Sequence, residues 1–426
     1  MKITLQQNKW YGDKPTEISL PDGWDVEYLA MPGDKEPVLT KEQVRERIEQ
    51  PYGSEPLSQM ARGKKRVGII FDDITRPTPT KVMAEAVLDI LLDAGVRKED
   101  IIFICALGTH GAHTREQFVK KLGEDIVGEY FVYNHNCYEN LVSLGKTERG
   151  FEVFINKEVM ACDLKVGIGG MIPHACNGYS GGYKLLFPGV AGIDTMEYVH
   201  IKGSEAMLTV ENPTIRNTMG HLHEHGMRFE IEEMGRMAGQ FFKVDCIYNS
   251  LAEPIGIYAG DPVEEYYEAV KMAKRVYGVP LPKNKDVMIV NANVKSNECN
   301  IAYGVGLAGF PEGEGGDLVI VNFAKSGQIP HYMIGHFGRE TKGRLCTGMP
   351  DPRPWGKTIY YSPYPDRSAI DELGIPMDRY VWAKTWEDVL ANLSHHGEGT
   401  RAAVLADATI MYYLLEEDER LSLIHI

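Results

Sequence analysis

At 426 residues the chain is longer than one ordinary core allows, and two domains are expected. Hydrophobic residues at 43% and charged residues at 25% are ordinary for a globular protein, so composition argues against the disordered and membrane classes. A net charge of −15 and a pI near 5.4 supply no basic face for phosphate, which argues against a nucleic-acid partner.

The cysteines at 105, 137, 162, 176, 246, 299 and 346 are odd in number, scattered and without a CxxC pair. That usage predicts a reducing cytoplasm rather than a disulfide framework or a structural zinc site. The first twenty residues carry no apolar stretch of the kind an export signal has, and no run of about eighteen apolar residues suggests a membrane span.

Residues 1 to 30 alternate apolar and polar positions (Ile3, Leu5; Ile18, Leu20) and break at PDGW, a pattern that predicts a small β-hairpin. A polar connection follows, with a short helix at KEQVRERIEQ. VGIIF at 67–71 is a continuous apolar run suited to a strand buried on both faces. It ends in the loop DDITRPTPT, and the next helix carries Met83, Val87, Ile90, Leu91 and Ala94 on one face. The plan repeats with a strand at 101–107, the loop GTHGAHT and a helix beginning near Thr114. There Thr114 and Gln117 have the spacing of a capping box. A third strand at 164–169 runs into a long stretch from Gly169 to His200.

Strands alternating with helices predict an α/β fold with right-handed crossovers and mostly parallel sheets. The loops DDITRP, GTHGAHT and PHACNGYSGGYK all leave the carboxyl ends of strands, so they collect on one sheet edge, where such folds bind ligands. Residues 203–276 read as helical, with Asn212-Pro213 marking a helix start and an amphipathic helix in GDPVEEYYEAVKMAKRVYG. VPLPKNK at 279–285 is the linker candidate. Apolar runs at 286–292, 317–323, 358–362, 380–383 and 402–407 then predict a second α/β unit. Two α/β domains are therefore expected, residues 1–278 and 279–426, with a site in the cleft between them.

The stretch from Gly169 to His200 combines His174, a glycine-rich turn, Lys184 and His200, without an amphipathic period long enough for an ordinary helix. Gly178, Gly181 and Gly182 permit positive φ, so a ligand can approach main-chain N–H groups while Lys184 is presented to it. Leu185 follows Lys184, so this is not a Walker-type phosphate loop. In DDITRP, Asp72 and Asp73 stand near Arg76. The cluster can orient a phosphate, ribose or carboxylate, or serve as a helix cap with a surface ion pair. His110 and His174 close different strands of one sheet. Two imidazoles facing one pocket form an acid–base pair near neutral pH, as a racemase or epimerase needs for the two faces of a carbon. His113 is read as structural. His221 and His225 in HLHEH are spaced for chelation but lack a third ligand, and are read as a solvated or capping cluster.

Together DDITRP, GTHGAHT, PHACNGYSGGYKLLFPG and His200 resemble the signature segments of the lactate racemase family over roughly residues 60 to 205. The resemblance implies a nickel-pincer nucleotide cofactor, that is, nickel held by a pyridinium-3-thioamide-5-thiocarboxylic acid mononucleotide. It implies that Lys184 forms the thioamide link and His200 ligates nickel. It also implies that His110 and His174 are the acid–base pair, in a cofactor-binding and catalytic N-terminal domain closed by the C-terminal one. Asp73, Thr75, Arg76, Gly178, Ser180, Gly181 and Gly182 would hold the cofactor. The family's reaction passes hydride from a 2-hydroxy acid to the cofactor and back, and cofactor-maturation proteins are implied partners.

The segment NANVKSNECNIAYGVG and HYMIGHFGR at 331–339 are unlike what the lactate enzyme itself carries. Lys295, Asn297, Asn300, Tyr332, His336 and Arg339, with Arg76, are the candidate substrate contacts, with Glu298 a further polar group in the first segment. They point to a larger or more polar 2-hydroxy acid than lactate. Two rival readings are a nucleotide-dependent ligase or kinase that uses the glycine turn for phosphate, and a non-catalytic sensor of an organic acid.

Overall fold

A computed structural model describes residues 1–8, 11–207, 215–222, 227–310, 315–329, 331, 333, 356–367, 370, 373 and 375–415. Two six-stranded sheets organise it. In the first, the strands run in the order Pro254–Gly260, Phe242–Tyr248, Leu164–Gly170, Val67–Asp72, Ile101–Ala106 and Phe131–Asn134. All neighbours are parallel except the pair of Pro254–Gly260 with Phe242–Tyr248. Every residue of Val67–Asp72 and Leu164–Gly170 is buried, as continuous apolar runs require when helices cover both faces. The helix Thr80–Asp93 is one of those covers, burying Met83, Val87, Ile90 and Leu91. The expected capping box forms, with Thr114 and Gln117 satisfying each other's backbone N–H at the start of Arg115–Leu122.

The second sheet is wholly parallel, in the order Tyr380–Ala383, Thr358–Tyr361, Asp317–Val321, Val287–Asn291, Arg401–Leu405 and Asp25–Leu29. The mixed α/β class with mostly parallel sheets is thus what the strand–helix alternation predicts. The apolar core runs through both sheets, since residues such as Ile69, Phe103, Val244, Val290 and Leu318 belong to one contiguous cluster.

Three expectations need correction. Residues 1–29 do not side with the first sheet. Lys2–Leu5 and Thr16–Ser19 pair antiparallel, their Ile3, Leu5 and Ile18 pack with Val287, Ile289 and Val404, and Asp25–Leu29 becomes an edge strand beside Arg401–Leu405. PDGW therefore leads into the second sheet instead of closing the hairpin. Within the segment expected to be helical, Phe242–Tyr248 and Pro254–Gly260 are strands. The polar Lys243 and Asp245 hid this strand's apolar pattern, and they are buried because they neutralise each other at 2.6 Å. Finally, His200 lies in a regular helix, Ile193–Met207, whose buried Met196 and Val199 face a core cluster. The expected helix start at Asn212-Pro213 lies outside the described residues. The linker candidate is held at its start, where Gly278–Val279 pairs with Tyr412–Tyr413.

Candidate active site

Three neighbouring strands, Leu164–Gly170, Val67–Asp72 and Ile101–Ala106, end side by side, and their loops form one wall of a cavity of about 260 Å³. The second sheet supplies the facing wall, with Lys295, Glu298 and Asn300 from the segment after Val287–Asn291 and His331 from beyond Asp317–Val321. His110, His174, Lys184 and His200 all line this space, as do Asp73, Arg76, Ser180 and Gly181.

The loop after Val67–Asp72 is fixed from several sides. Asp72 accepts from Lys121 Nζ at 2.6 Å, Thr78 Oγ1 at 2.6 Å and the Gly170 N–H at 3.0 Å, which ties two strand ends together. Asp73 Oδ1 receives the Thr75 N–H at 2.6 Å, and its Oδ2 lies 2.8 Å from His110 Nδ1. Burial alone would raise the Asp73 pKa, but His110, Arg76 and His113 together hold it well below the usual carboxylate range. An ionised carboxylate only accepts, so His110 donates from Nδ1, which in the neutral ring leaves the lone pair on Nε2. His113 is structural, as expected, since its Nε2 accepts the Ile74 N–H at 2.7 Å.

His174 sits in a two-residue ladder, Pro173–His174 against Gly178–Tyr179. Its Nδ1 accepts the Cys176 N–H at 3.3 Å, so this imidazole carries its proton on Nε2. Burial, then the positive charges of Lys184, Arg76 and Lys295, push its pKa well below the ordinary value, and the ring is neutral.

Gly178, Gly181 and Gly182 have φ of 67°, 97° and 57°, the left-handed turn that glycine allows. The turn rests on Asp245, which accepts the Gly182 N–H at 2.7 Å, and a Cβ at Gly181 would meet Asp245 Oδ2 at 2.5 Å. Arg228 adds bonds to the Gly181 and Tyr179 carbonyls while its guanidinium stacks 3.7 Å from the Tyr266 ring centre. The N–H groups of Ser180, Gly182 and Lys184 are bonded within the fold, so the turn is not the open phosphate cradle its glycines suggested. Gly178 and Gly182 do not line the cavity. What the turn presents is Lys184. Burial, and then Arg76 and other cations, lower its pKa to about 7, and no described residue hydrogen-bonds its amine.

His200 donates from Nδ1 to the Met196 carbonyl at 2.6 Å, and burial lowers its pKa to about 4. Its ring centre is 6.0 Å from that of His331, which is 5.2 Å from that of His110. Across the cavity, Glu298 Oε2 accepts from Arg76 Nη1 at 2.5 Å and from Lys295 Nζ at 2.7 Å. Burial would raise the Glu298 pKa, yet Arg76, Lys295 and His110 hold it well below the ordinary value. Glu298 Oε1 is 4.0 Å from His110 Nε2.

Not every candidate arrives. Asn297 bonds Tyr11 Oη and the Ile74 carbonyl outside the cavity lining, and Thr75 supports Arg76 Nη1 at 2.7 Å instead of facing the space. Tyr332, His336 and Arg339 lie outside the described residues. His221, read as part of a solvated or capping cluster, is buried and not solvated, with Nε2 3.2 Å from the Tyr413 carbonyl, while His225 is outside the described residues. Among the charged and imidazole liners, His331, Lys243 and Asp245 carried no site assignment from the sequence, and Glu298 was named only as a further polar group of its segment. For Lys243 and Asp245 a signal existed, because residues two apart in a strand share a face. His331 had none, since only the return of the second sheet brings it beside His110.

The chain is similar to known proteins over much of its length. Residues 11–209 match the family model described as the lactate racemase N-terminal domain, a span that contains His110, His174, Lys184 and His200. Lactate racemase of Lactiplantibacillus plantarum is 27% identical over 295 residues, 67% of each chain. That of Thermoanaerobacterium thermosaccharolyticum is 25% identical over 285 residues, 66% of this chain and 65% of the relative. The lactate racemase apoprotein structure from T. thermosaccharolyticum superposes with a TM-score of 0.74 at 20% identity, covering 97% of this chain and 100% of that one. A Thermotoga maritima protein gives a TM-score of 0.65 at 17% identity over 91% of this chain and 100% of that one. These structural likenesses establish the fold.

Proposed function

We propose, on the premise that this chain is a homologue of the lactate racemases, that it is an isomerase that interconverts the two configurations of a 2-hydroxy acid, using a nickel-pincer nucleotide tethered to Lys184. The observation that carries the reading is two imidazoles held in opposite tautomers on one cavity, which an amine whose pKa is lowered to about 7 also lines.

The residues fit the cofactor. An amine about half unprotonated at neutral pH is a competent nucleophile for the thioamide link. His200 donates through Nδ1, the state in which an imidazole ligates metal through Nε2, with a carbonyl orienting the ring from behind. Asp73, Arg76, Ser180 and Gly181 line the surrounding wall, with Thr75, Gly178 and Gly182 supporting it from behind. When bound, the group supplies a reversible acceptor for the hydride on the α-carbon, so that a planar 2-keto acid links the two configurations.

The chain's own residues do the rest. Arg76 and Lys295 bind the substrate carboxylate. Glu298 neutralises one of their two charges, which leaves the pair attractive to a single anionic group. His110 takes the hydroxyl proton at Nε2, oriented by Asp73. His174, neutral with its one proton on Nε2, donates a hydrogen bond to the substrate oxygen, and the proton that His110 took returns to that oxygen as the opposite configuration forms. Burial of the site limits water that would release the keto acid. We assign this work to the first sheet and its loops, with the second sheet closing the cleft, and the protein to the cytoplasm with cofactor-maturation proteins as partners. The glycine turn's internal bonding leaves the ligase or kinase reading without a phosphate cradle.

Asn300 beside the Lys295–Glu298 pair makes the substrate wall polar, which favours a longer, hydroxylated 2-hydroxy acid over lactate, whose methyl group offers Asn300 no partner. Cofactor-loaded enzyme given a panel of enantiopure 2-hydroxy acids and read by chiral chromatography tests both levels. Racemisation of none of them ends the functional reading, while lactate as the best substrate ends only the specificity.

A further inference from the structure

Far from the cavity, at the edge of the second sheet where its strands begin, Asp317 faces two consecutive histidines. Asp317 opens the strand Asp317–Val321, and the segment bearing Lys295 leaves the opposite, carboxyl edge of the neighbouring strand Val287–Asn291. His395 Nε2 and His396 Nε2 each lie 3.0 Å from Asp317 Oδ2. Among the described residues this is the one group of three or more His, Cys, Asp or Glu side chains whose ligand atoms all lie within 4.8 Å of one another.

The geometry points to a binding site for a borderline divalent cation such as Zn²⁺, held by Asp317, His395 and His396. Two imidazoles and a carboxylate are the donor set of that ion class. Ligands about 2.1 Å from a shared ion stand roughly 3.0 to 3.4 Å apart, which the two Asp317–histidine spacings of 3.0 Å match.

The site is built as well as near. Asp317 is buried, and its other oxygen accepts the Lys357 N–H at 2.7 Å, which leaves Oδ2 directed at the histidines. The backbone at Gly356 presses so close that a Cβ there would come within 2.1 Å of Asp317 Oδ1. His396 is set against the Trp24 ring, with centroids 6.0 Å apart, and the rings of the two histidines are 4.3 Å apart. The His395 side chain is 55% exposed, so the ion can reach the site and keep a water ligand. An ion there would join the starts of Asp317–Val321 and Thr358–Tyr361 to the turn that feeds Arg401–Leu405. Its role is to staple the second sheet, independently of the reaction.

Chelator-stripped full-length protein titrated with Zn²⁺ tests this. Wild type is expected to bind one equivalent that His395→Ala/His396→Ala lacks, and each single variant at least ten-fold more weakly. Zn²⁺ should raise the melting temperature of wild type and of His200→Ala, and not that of the double variant. In wild type itself, Zn²⁺ should protect His395 and His396 from diethyl pyrocarbonate, a readout that needs no variant to fold. Equal stoichiometry in wild type and double variant, or no protection of these two rings, overturns the proposal.

Discussion

His110 and His174 hold their imidazole protons on opposite nitrogens: Nδ1 of His110 donates to Asp73 at 2.8 Å, whereas Nδ1 of His174 accepts the Cys176 N–H at 3.3 Å. In the neutral state one ring therefore offers a lone pair at Nε2 and the other an N–H hydrogen-bond donor. Asp73 is the group that sets this difference. Asp73→Asn removes the obligate acceptor and lets His110 adopt the other tautomer, so kcat should fall by about 10²- to 10⁴-fold with KM nearly unchanged. The same variant should change the pH profile of kcat. An unaltered kcat would show that Asp73 does not orient the base.

The amine of Lys184, with its pKa near 7, should react with amine-directed reagents at a pH where ordinary lysines, with a pKa of about 10.4, are protonated. In the cofactor-free chain, peptide mapping across pH 6 to 10 should show Lys184 half-modified near pH 7. Lys184→Ala should lose activity and cofactor retention while its circular dichroism stays that of wild type. Modification of Lys184 only alongside the surface lysines would remove the argument for an activated tether.

Glu298 binds two cations at once, Arg76 and Lys295. Glu298→Gln leaves both positive charges to the substrate, so KM for a monoanionic 2-hydroxy acid should fall by about ten-fold, or ~1.4 kcal/mol. A dicarboxylic substrate should gain more than a monocarboxylic one. A rise in KM for both would mean that the carboxylate's main work is to hold the cations in place.

Acid should destabilise the fold in a defined window. Burial lowers the pKa of His200 and of His135 from 6.5 to about 4, and holds that of His174 and His331 well below the ordinary value. Between pH 4 and 6.5 the unfolded chain therefore binds protons that the folded chain refuses, and stability rises with pH across that interval. His200 alone contributes on the order of 3 kcal/mol by this route. Asp73 and Glu298, whose pKa values are depressed, add a loss that begins as pH falls below the usual carboxylate range. Melting temperatures recorded from pH 7 down to 4 should decline steadily, and a flat profile would refute the assignment of buried neutral imidazoles.

Much of this site is legible in the chain itself, for a physical reason. Runs such as VGIIF and LKVGIG can only be strands covered on both faces, and parallel strands deliver their following loops to one edge. That logic brings His110, His174 and Lys184 together before any coordinates exist. It fails where a polar pair is buried in a strand, as with Lys243 and Asp245, because self-neutralisation leaves no trace in an apolar pattern. It fails again for His331 and Glu298, whose neighbours are set by how the two sheets meet. The turn at Gly181 misled for a third reason: positive φ is readable from glycine, but the capture of its N–H groups by Asp245 and by backbone carbonyls is not.

The edge strand Asp25–Leu29 hydrogen-bonds only to Arg401–Leu405 within its sheet, and roughly 370 residues of chain separate the partners. On a ribosome adding about 5 to 20 residues per second, the early strand waits roughly twenty seconds to more than a minute for its mate. The first sheet, drawn from residues between Val67 and Gly260, can assemble meanwhile. During that interval Asp25–Leu29 is a strand without a neighbour, the kind of segment that seeks pairing with other nascent chains. Its alternation of Asp25 and Glu27 with apolar positions gives it charge along one side, which keeps it soluble until its late partner emerges.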